Sequence, residues 1–444
     1  MDSDVEWKDL SLGDVIELKR GYDLPKGKRM PGSVPIVSSS GVSDFHSEAM
    51  VEGPGVVTGR YGTIGEVFYV DEDYWPLNTT LYVRDFKDND PRFISYLLRT
   101  LDFQAYSDKG AVPGLNRNHL HLAKVRLPGK TVQKSIVRVL SSLDSKIDLN
   151  CRINQTLEAT AQAIFKSWFV DFDPVKAKIA AQAEGRDPLR AAMCAISGKP
   201  DAELNALPNE QYEQLAATAV LFPDEMEASE LGEIPKGWSH EALAQLTDKI
   251  GSGSTPRGGK EVYLEEGVAL IRSQNVYDSL FVWEGLARIS DEAATQLKGV
   301  TVQEDDVLLN ITGASILRTC VVEPDALPAR VNQHVAIIRA KAGVPPRFIH
   351  MHLLRPEIKS YLLGLNAGAS REAITKAHIE SLTLLTPGPL LLAAFQTATA
   401  PLFRQVQRFA QQMRVLDELR NTLLPKLLSG ELSVEALAEP AGAA

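Results

Sequence analysis

Apolar positions along the chain follow two different periods. From Ile136 onward they fall at alternating steps of four and three: Ile136, Leu140, Leu143 and Ile147, then Asn150 and Asn154, then Leu157, Ala161, Ile164 and Trp168. Such spacing keeps one stripe of a helix facing a partner helix, as in a coiled-coil seam. Adding 259 to each number gives Phe395, Thr399, Leu402, Val406, Phe409, Met413, Leu416, Arg420, Leu423 and Leu427, a second seam in matching register. Elsewhere, β-branched and aromatic runs such as IGEVFYV from Ile64, VLLNIT and HVAIIRA alternate with glycine-bearing turns. This pattern predicts a twisted, mostly antiparallel sheet.

The seams belong to a repeat of the whole chain. WKDLSLGDVIELKRG from Trp7 has a counterpart in WSHEALAQLTDKIGSG from Trp238, and PIVSSSGVSD from Pro35 in ALIRSQNVYD from Ala269. TGRYGTIG, with Gly62, matches NITGASIL, with Gly313; each is followed by a strand-like run and an Asn, Asn78 or Asn332. The tetrapeptide PRFI occurs at Pro91 and at Pro346, and a later His, His119 or His378, leads to a strand ending in Pro-Gly at Pro128 and Pro387. The offsets drift only from 231 to 259, so the copies differ by small loop insertions.

One helix alone would leave its stripe in water, so the two seams are expected to pack together, antiparallel if the halves are related by a pseudo-twofold axis. Each would span roughly 33 residues, about 50 Å at 1.5 Å per residue, or about one and a half turns of B-DNA. In that pairing Asn150 and Asn154 fall near Met413 and Phe409. The expected fold class is α+β: two tandem pseudo-repeated α/β domains, separated and joined by two long antiparallel coiled-coil helices. The expected boundaries are a first domain over 1–130, a helix over 131–172, a helical insert over 173–230, a second domain over 231–386, a helix over 387–432 and a frayed tail over 433–444. Trp7 and Trp238 read as core anchors of the two domains.

Composition narrows the classes. No apolar run approaches a membrane span, the acidic N-terminus lacks the pattern of a secretory signal, and Cys151, Cys194 and Cys320 are scattered, with no disulfide framework or metal-ligand spacing. A cytoplasmic protein without membrane contact is expected. The net charge of -10 argues against a nucleic-acid partner, but residues 173 to 237 hold 6 basic and 12 acidic side chains, so most of the excess sits in the insert. A basic surface elsewhere is permitted. Searching for reactive groups finds no Asn-Pro-Pro-aromatic motif, no glycine-rich adenosylmethionine loop, no His-Glu-x-x-His pair and no nucleophile elbow. GSGSTPRGGKE from Gly251 fails as a P-loop, because Glu261 stands where Ser or Thr should bind magnesium and Ser254 where the first glycine should be. The chain is expected to perform no covalent chemistry and to carry no cofactor or metal.

Two stretches carry a family resemblance. LEATAQAIFKSWFVDFDPV, residues 157 to 175, resembles the conserved region of type I restriction-modification specificity subunits, and LDELRNTLLPKLLSGEL, from Leu416 to Leu432, resembles that family's distal conserved region. Head, helix, head, helix is also the family's order. The resemblance implies two target recognition domains, each reading half of a bipartite, asymmetric site in double-stranded DNA, with the helices setting the spacing. It further implies docking of two methyltransferase subunits and recruitment of the ATP-dependent restriction and translocase subunits. S-adenosylmethionine, ATP and magnesium would then sit on those partners. Phe165, Phe169 and Phe172, beside the first seam, would suit a partner helix or an insertion against the protein's own domains.

DNA readers need polar and basic side chains on loops that reach base edges and phosphates. In the first copy the candidates are Lys26, Lys28 and Arg29, then Ser38, Ser39 and Ser40, then Arg60 and Tyr61 between glycines, and Arg117 with Asn118. In the second they are Arg257 and Lys260, then Arg272, Ser273, Gln274 and Asn275, then Asn310 and Thr312, and Arg371. Different side chains at equivalent places imply different half-sites. His119 and His378 read as structural or capping residues. The competing reading, favoured by the pI of 5.4, is a repeat-built interaction scaffold that binds protein instead of DNA.

Overall fold

A computed structural model describes residues 7–107, 114–230, 232–365 and 373–434. Tertiary contacts divide the chain into two units, residues 1–152 with 409–444, and residues 153–408. Among the described residues no helix is long and apolar enough to cross a membrane.

In the first unit, β1 (Lys8–Ser11) pairs antiparallel with β9 (Lys124–Leu127), tying the start of the lobe to the strand that enters the first long helix. The main sheet has the order β2 (Glu17–Arg20), β8 (Thr80–Asp85), β5 (Gly55–Gly59), β6 (Val67–Val70), antiparallel throughout. A smaller sheet runs β4 (Gly41–His46), β3 (Val34–Ser38), β7 (Trp75–Pro76), with β3 and β7 parallel. Helix α1 (Pro91–Arg99) starts where Asp90 accepts hydrogen bonds from the Arg92 and Phe93 amides, at 2.9 and 3.0 Å, and Pro91 occupies the first turn. Its apolar face, Phe93, Ile94 and Leu97, lies in the lobe core.

Two long helices continue through both units, α2 (Lys130–Phe169) and α4 (Pro389–Ser429). In the first unit Ile136 and Leu140 of α2, with Leu424, Leu427 and Leu428 of α4, enter the same core as Leu12, Ile16 and Phe93. Farther along, Asp144 accepts from Arg420 at 3.0 Å and from the Tyr96 hydroxyl at 2.6 Å, and Asn150 Nδ2 donates to Gln412 Oε1 at 3.3 Å. Rising numbers on α2 therefore meet falling numbers on α4. In the second unit Asn154 Nδ2 donates to the Val406 carbonyl at 3.1 Å. Both asparagines are buried, close to the turns expected for them, but each amide finds polar company beside the seam instead of Met413 or Phe409. Every apolar seam position is buried or half-buried.

The second unit repeats the lobe. β10 (Ser239–Ala242) pairs with β17 (Thr383–Thr386) as β1 does with β9. The main sheet runs β11 (Thr247–Ser252), β16 (Val335–Ala340), β13 (Val307–Asn310), β14 (Thr319–Val321), in the order of β2, β8, β5 and β6. β12 (Val268–Ile271) lies parallel to β15 (Ala329–Val331), as β3 does to β7, within a sheet enlarged to five strands. The second PRFI opens α3 (Pro346–Leu354). Its Phe348 packs with Phe165, Trp168 and Phe169 of α2, Phe395 of α4, and Trp238. Ring centroids lie 5.1 Å apart for Phe169 and Phe395 and 5.2 Å for Phe169 and Phe348, both near edge-to-face, the favoured geometry for aromatic pairs. Phe165 and Phe169 thus insert into the protein's own core, and Phe172 lies edge-on to Trp238 at 5.6 Å. The acidic insert forms helices Asp173–Ala183, Pro188–Ser197, Asp201–Leu204 and Asn209–Val220 around a small core of Ala192, Met193, Leu204 and Ala219.

Candidate nucleic-acid interface

In the first lobe the end of β2 meets two loops around a concavity of about 600 Å³, lined by Lys19, Arg20, Gly21, Tyr22, Asp23, Arg60 and Asn116 to Asn118. The chain reaches this shape for local reasons. Gly21 passes so close to the next segment that a Cβ would lie 2.2 Å from the Leu77 carbonyl oxygen, so only glycine permits the strand to end there. Gly62, at φ +79°, turns the chain after Arg60 and Tyr61. Asn116 then caps the short helix carrying Arg117 and Asn118, its side chain accepting from the Asn118 amide at 3.0 Å. The Leu115 amide bonds back to the Arg60 carbonyl at 2.9 Å, fixing the two loops together.

Four cations share the notch with one carboxylate. Arg20 lies 3.8 Å from Asp23, which also accepts from Asn78. Among the described residues Lys19, Arg60 and Arg117 form no ion pair. Lys19 Nζ donates to the Tyr22 hydroxyl at 3.3 Å, Tyr22 and Tyr82 share a hydrogen bond at 3.0 Å, and Arg60 lies over the Tyr61 ring at 4.6 Å. The hydrogen bond from Tyr82 and the nearby Lys19 hold the Tyr22 hydroxyl below its ordinary pKa. Such a surface presents guanidinium and ammonium donors to an anion with few internal competitors.

The sequence candidates therefore separate. Arg60, Arg117 and Asn118 line the notch. Ser39 borders its loop, since a Cβ on Gly62 would meet Ser39 Oγ at 3.4 Å, and Ser38 closes its own turn on the Gly41 carbonyl at 3.0 Å beside exposed Ser40. Lys26 and Lys28 are exposed on a separate 3-10 turn, and Arg29 is committed to Asp44 at 2.8 Å. Lys19, Arg20, Tyr22 and Asn116 escaped the sequence reading, although the Lys-Arg-Gly at the end of a repeat landmark was available as a signal. His119 is exposed, and the histidine that organises this region is His121, whose Nε2 accepts from the Leu18 amide at 3.0 Å.

In the second lobe burial reassigns two candidates. Asn275 is fully buried: its Oδ1 accepts from the Arg272 amide, and its Nδ2 donates to Val282 and Glu284 carbonyls, at 2.9 Å and 3.3 Å. Asn310, also fully buried, donates to the Ser273 and Val276 carbonyls. Both amides hold the loop after β12 and have no exposed edge for a base. Arg272 and Gln274 converge on the Gly285 carbonyl at 2.6 and 3.2 Å, and half-buried Ser273 lends its carbonyl to Asn310. Thr312 bonds to His334 at 2.6 Å. Arg257 is exposed; the Lys260 side chain and Arg371 lie outside the described residues. His378 forms a capping box with Thr375, as read from the sequence. The failed P-loop has a structural purpose, because Gly253 takes the place of Gly21 and a Cβ there would lie 1.7 Å from the Val331 carbonyl oxygen.

Residues 4–159 match the type I restriction modification DNA specificity domain. The chain is 29% identical over 96% of its length, and over the whole of the relative, to the type I restriction enzyme HindI specificity subunit of Haemophilus influenzae. It is 26% identical over 82% of its length and 74% of the relative to the MjaIX specificity subunit of Methanocaldococcus jannaschii. The crystal structure of a type I restriction-modification S subunit from M. genitalium shares the fold, with TM-score 0.54, 13% identity and coverage of 96% of this chain and 97% of that one. Duplicated lobes, paired helices and these likenesses agree: residues 4–159 match a type I restriction modification DNA specificity domain, and the chain as a whole is similar to type I restriction enzyme specificity subunits.

Proposed function

We propose that this protein is the DNA-sequence-specificity subunit of a type I restriction-modification complex, working in the cytoplasm without catalytic chemistry of its own. Each lobe acts as a target recognition domain for one half of a bipartite, asymmetric site. The paired α2 and α4 form an antiparallel coiled coil that sets the spacing between half-sites and docks two methyltransferase subunits. Restriction and translocase subunits join through that assembly, and S-adenosylmethionine, ATP and magnesium belong to the partners. The observation carrying this reading is a lobe topology that occurs twice with different polar residues at equivalent loops: a shared scaffold with divergent reading surfaces suits an asymmetric site.

The test is a gel-shift series with the purified methyltransferase subunit, on duplexes bearing the sequence methylated in the host. Salt-sensitive, sequence-selective binding is expected. Absence of binding at low salt would remove the reading and leave a protein-binding scaffold.

A further inference from the structure

The two lobes share a frame but not a charge. Sheet register makes Gly251 and Ser252 of β11 the counterparts, in the other copy, of Lys19 and Arg20 of β2. The Leu115 amide bonds to the Arg60 carbonyl, and the Ile374 amide bonds to the Ile311 carbonyl at 2.8 Å, so Ile311 is the counterpart of Arg60. Asn116 and Thr375 cap equivalent short helices, which makes Lys376 the counterpart of Arg117 and Ala377 that of Asn118. Lys376 is paired with Glu380 at 3.2 Å. Four converging cations in the first lobe thus become glycine, serine, a buried isoleucine and a neutralised lysine in the second. Arg257 and Arg318, the latter lying over the Tyr277 ring at 4.2 Å, stand on other loops.

From this we infer that the notch of Lys19, Arg20, Arg60 and Arg117 is a phosphate clamp on the DNA backbone, and that the two lobes divide their work unequally. The first lobe supplies most of the electrostatic, sequence-independent anchoring; the second contributes mainly neutral contacts. The inference rests on the DNA-reading function proposed above and adds which lobe holds the backbone and with which side chains. Its chemistry is direct: guanidinium groups present forked donors to phosphate oxygens, and each neutralised phosphate releases counterions. Asp23 subtracts one charge, leaving a formal excess of three cations.

The experiment measures binding of the full chain, with the methyltransferase subunit, to a specific and a scrambled duplex at several salt concentrations. The notch variant carries Lys19→Gln, Arg20→Gln, Arg60→Gln and Arg117→Gln; the control carries Arg257→Gln and Lys376→Gln in the second lobe. Each contacted phosphate contributes about 0.9 to the slope of log affinity against log salt, so the notch variant should flatten that slope by about 2 to 3. Affinity near physiological salt should fall about 10- to 100-fold on both duplexes, with the preferred sequence unchanged. The control should move the slope by less than about 1. An unchanged slope in a folded notch variant, checked by its thermal midpoint, overturns the clamp. Loss of selectivity at particular base pairs also overturns it, in favour of base reading. If the unmodified complex itself shows no salt-sensitive selective binding, the DNA-reading function has failed, a result distinct from failure of the notch.

Discussion

Arg84 in the first lobe and Arg339 in the second occupy equivalent places near the ends of the corresponding strands β8 and β16, yet they live in different electrostatic settings. Arg84 reaches Glu17 across an open surface, with half of its side chain exposed. Arg339 grips fully buried Asp306 through two hydrogen bonds, at 2.8 and 2.7 Å, and Asp306 holds the Arg339 pKa above its ordinary value. The helix ends differ as well. Leu424, Leu427 and Leu428 of α4 plug the first core, whereas Phe165, Trp168 and Phe169 of α2 plug the second. His350 and His352 in α3 stand where α1 has Ser95 and Leu97. One topology therefore tolerates two chemistries, provided the volume and direction of the core residues are kept. The second unit has placed more polar and aromatic groups inside, where their loss is felt more.

Substitution can test that contrast. The largest effects should come from Phe169→Ala, destabilising the second unit by about 3 to 5 kcal/mol through a cavity, and from Asp306→Ala, by about 3 kcal/mol, because the half-buried Arg339 guanidinium loses its carboxylate and keeps only the Thr301 carbonyl. Glu17→Ala in the first unit should cost less than about 1 kcal/mol, as an exposed pair does. Denaturant melts of the three variants compare the sites directly, and equal losses would show that the two arginines are equally committed.

Acid should separate the units next. Burial pushes the pKa values of His350 and His352 down to about 3 from an ordinary 6.5, so both are neutral when folded and gain protons readily only when unfolded. Their contribution is complete above pH 6.5 and declines as the pH falls below it, by up to about 2 kcal/mol per histidine at pH 5. Thermal melts at pH 7 and pH 5 should show His350→Ser and His352→Leu, which copy the first lobe, losing less midpoint than the unmodified chain. A loss identical in all three would place the acid-sensitive groups elsewhere.

A smaller gain is expected at the seam. The Oδ1 atoms of Asn150 and Asn154 are buried without hydrogen-bond partners, and their repeat counterparts are Phe409 and Met413. Asn154→Met should raise the denaturation midpoint by the equivalent of about 1 kcal/mol while relaxing the register that a buried amide imposes. A lower midpoint would mean that the bond to the Val406 carbonyl outweighs the unsatisfied oxygen.

Much of this was legible in the residues. Heptad spacing located both long helices, because burying a stripe demands a period that no loop insertion disturbs. The ordered landmarks announced the duplication; of the two tryptophans read as core anchors, Trp238 is buried in the aromatic cluster with Phe169 and Phe395, whereas Trp7 is half-buried against the edge of the first core. Harder to see were the roles of single polar side chains. Asn275 and Asn310 have the composition of base readers, but in the fold their amides satisfy carbonyls of a buried loop, as buried polar groups must. Lys19 and Arg20 escaped the sequence reading because only the folded chain brings the loops bearing Arg60 and Arg117 beside them.

The sequence by itself determined the repeat, the helices and the chemical kinds of side chain available, since those follow from periodicity and residue type along a line. Only the tertiary structure decided which polar groups face solvent together and which serve the backbone. Convergence of Lys19 with Arg117 joins residues far apart in the chain, and the closure of loops that unites them is set by packing and hydrogen bonding, to which local pattern is blind.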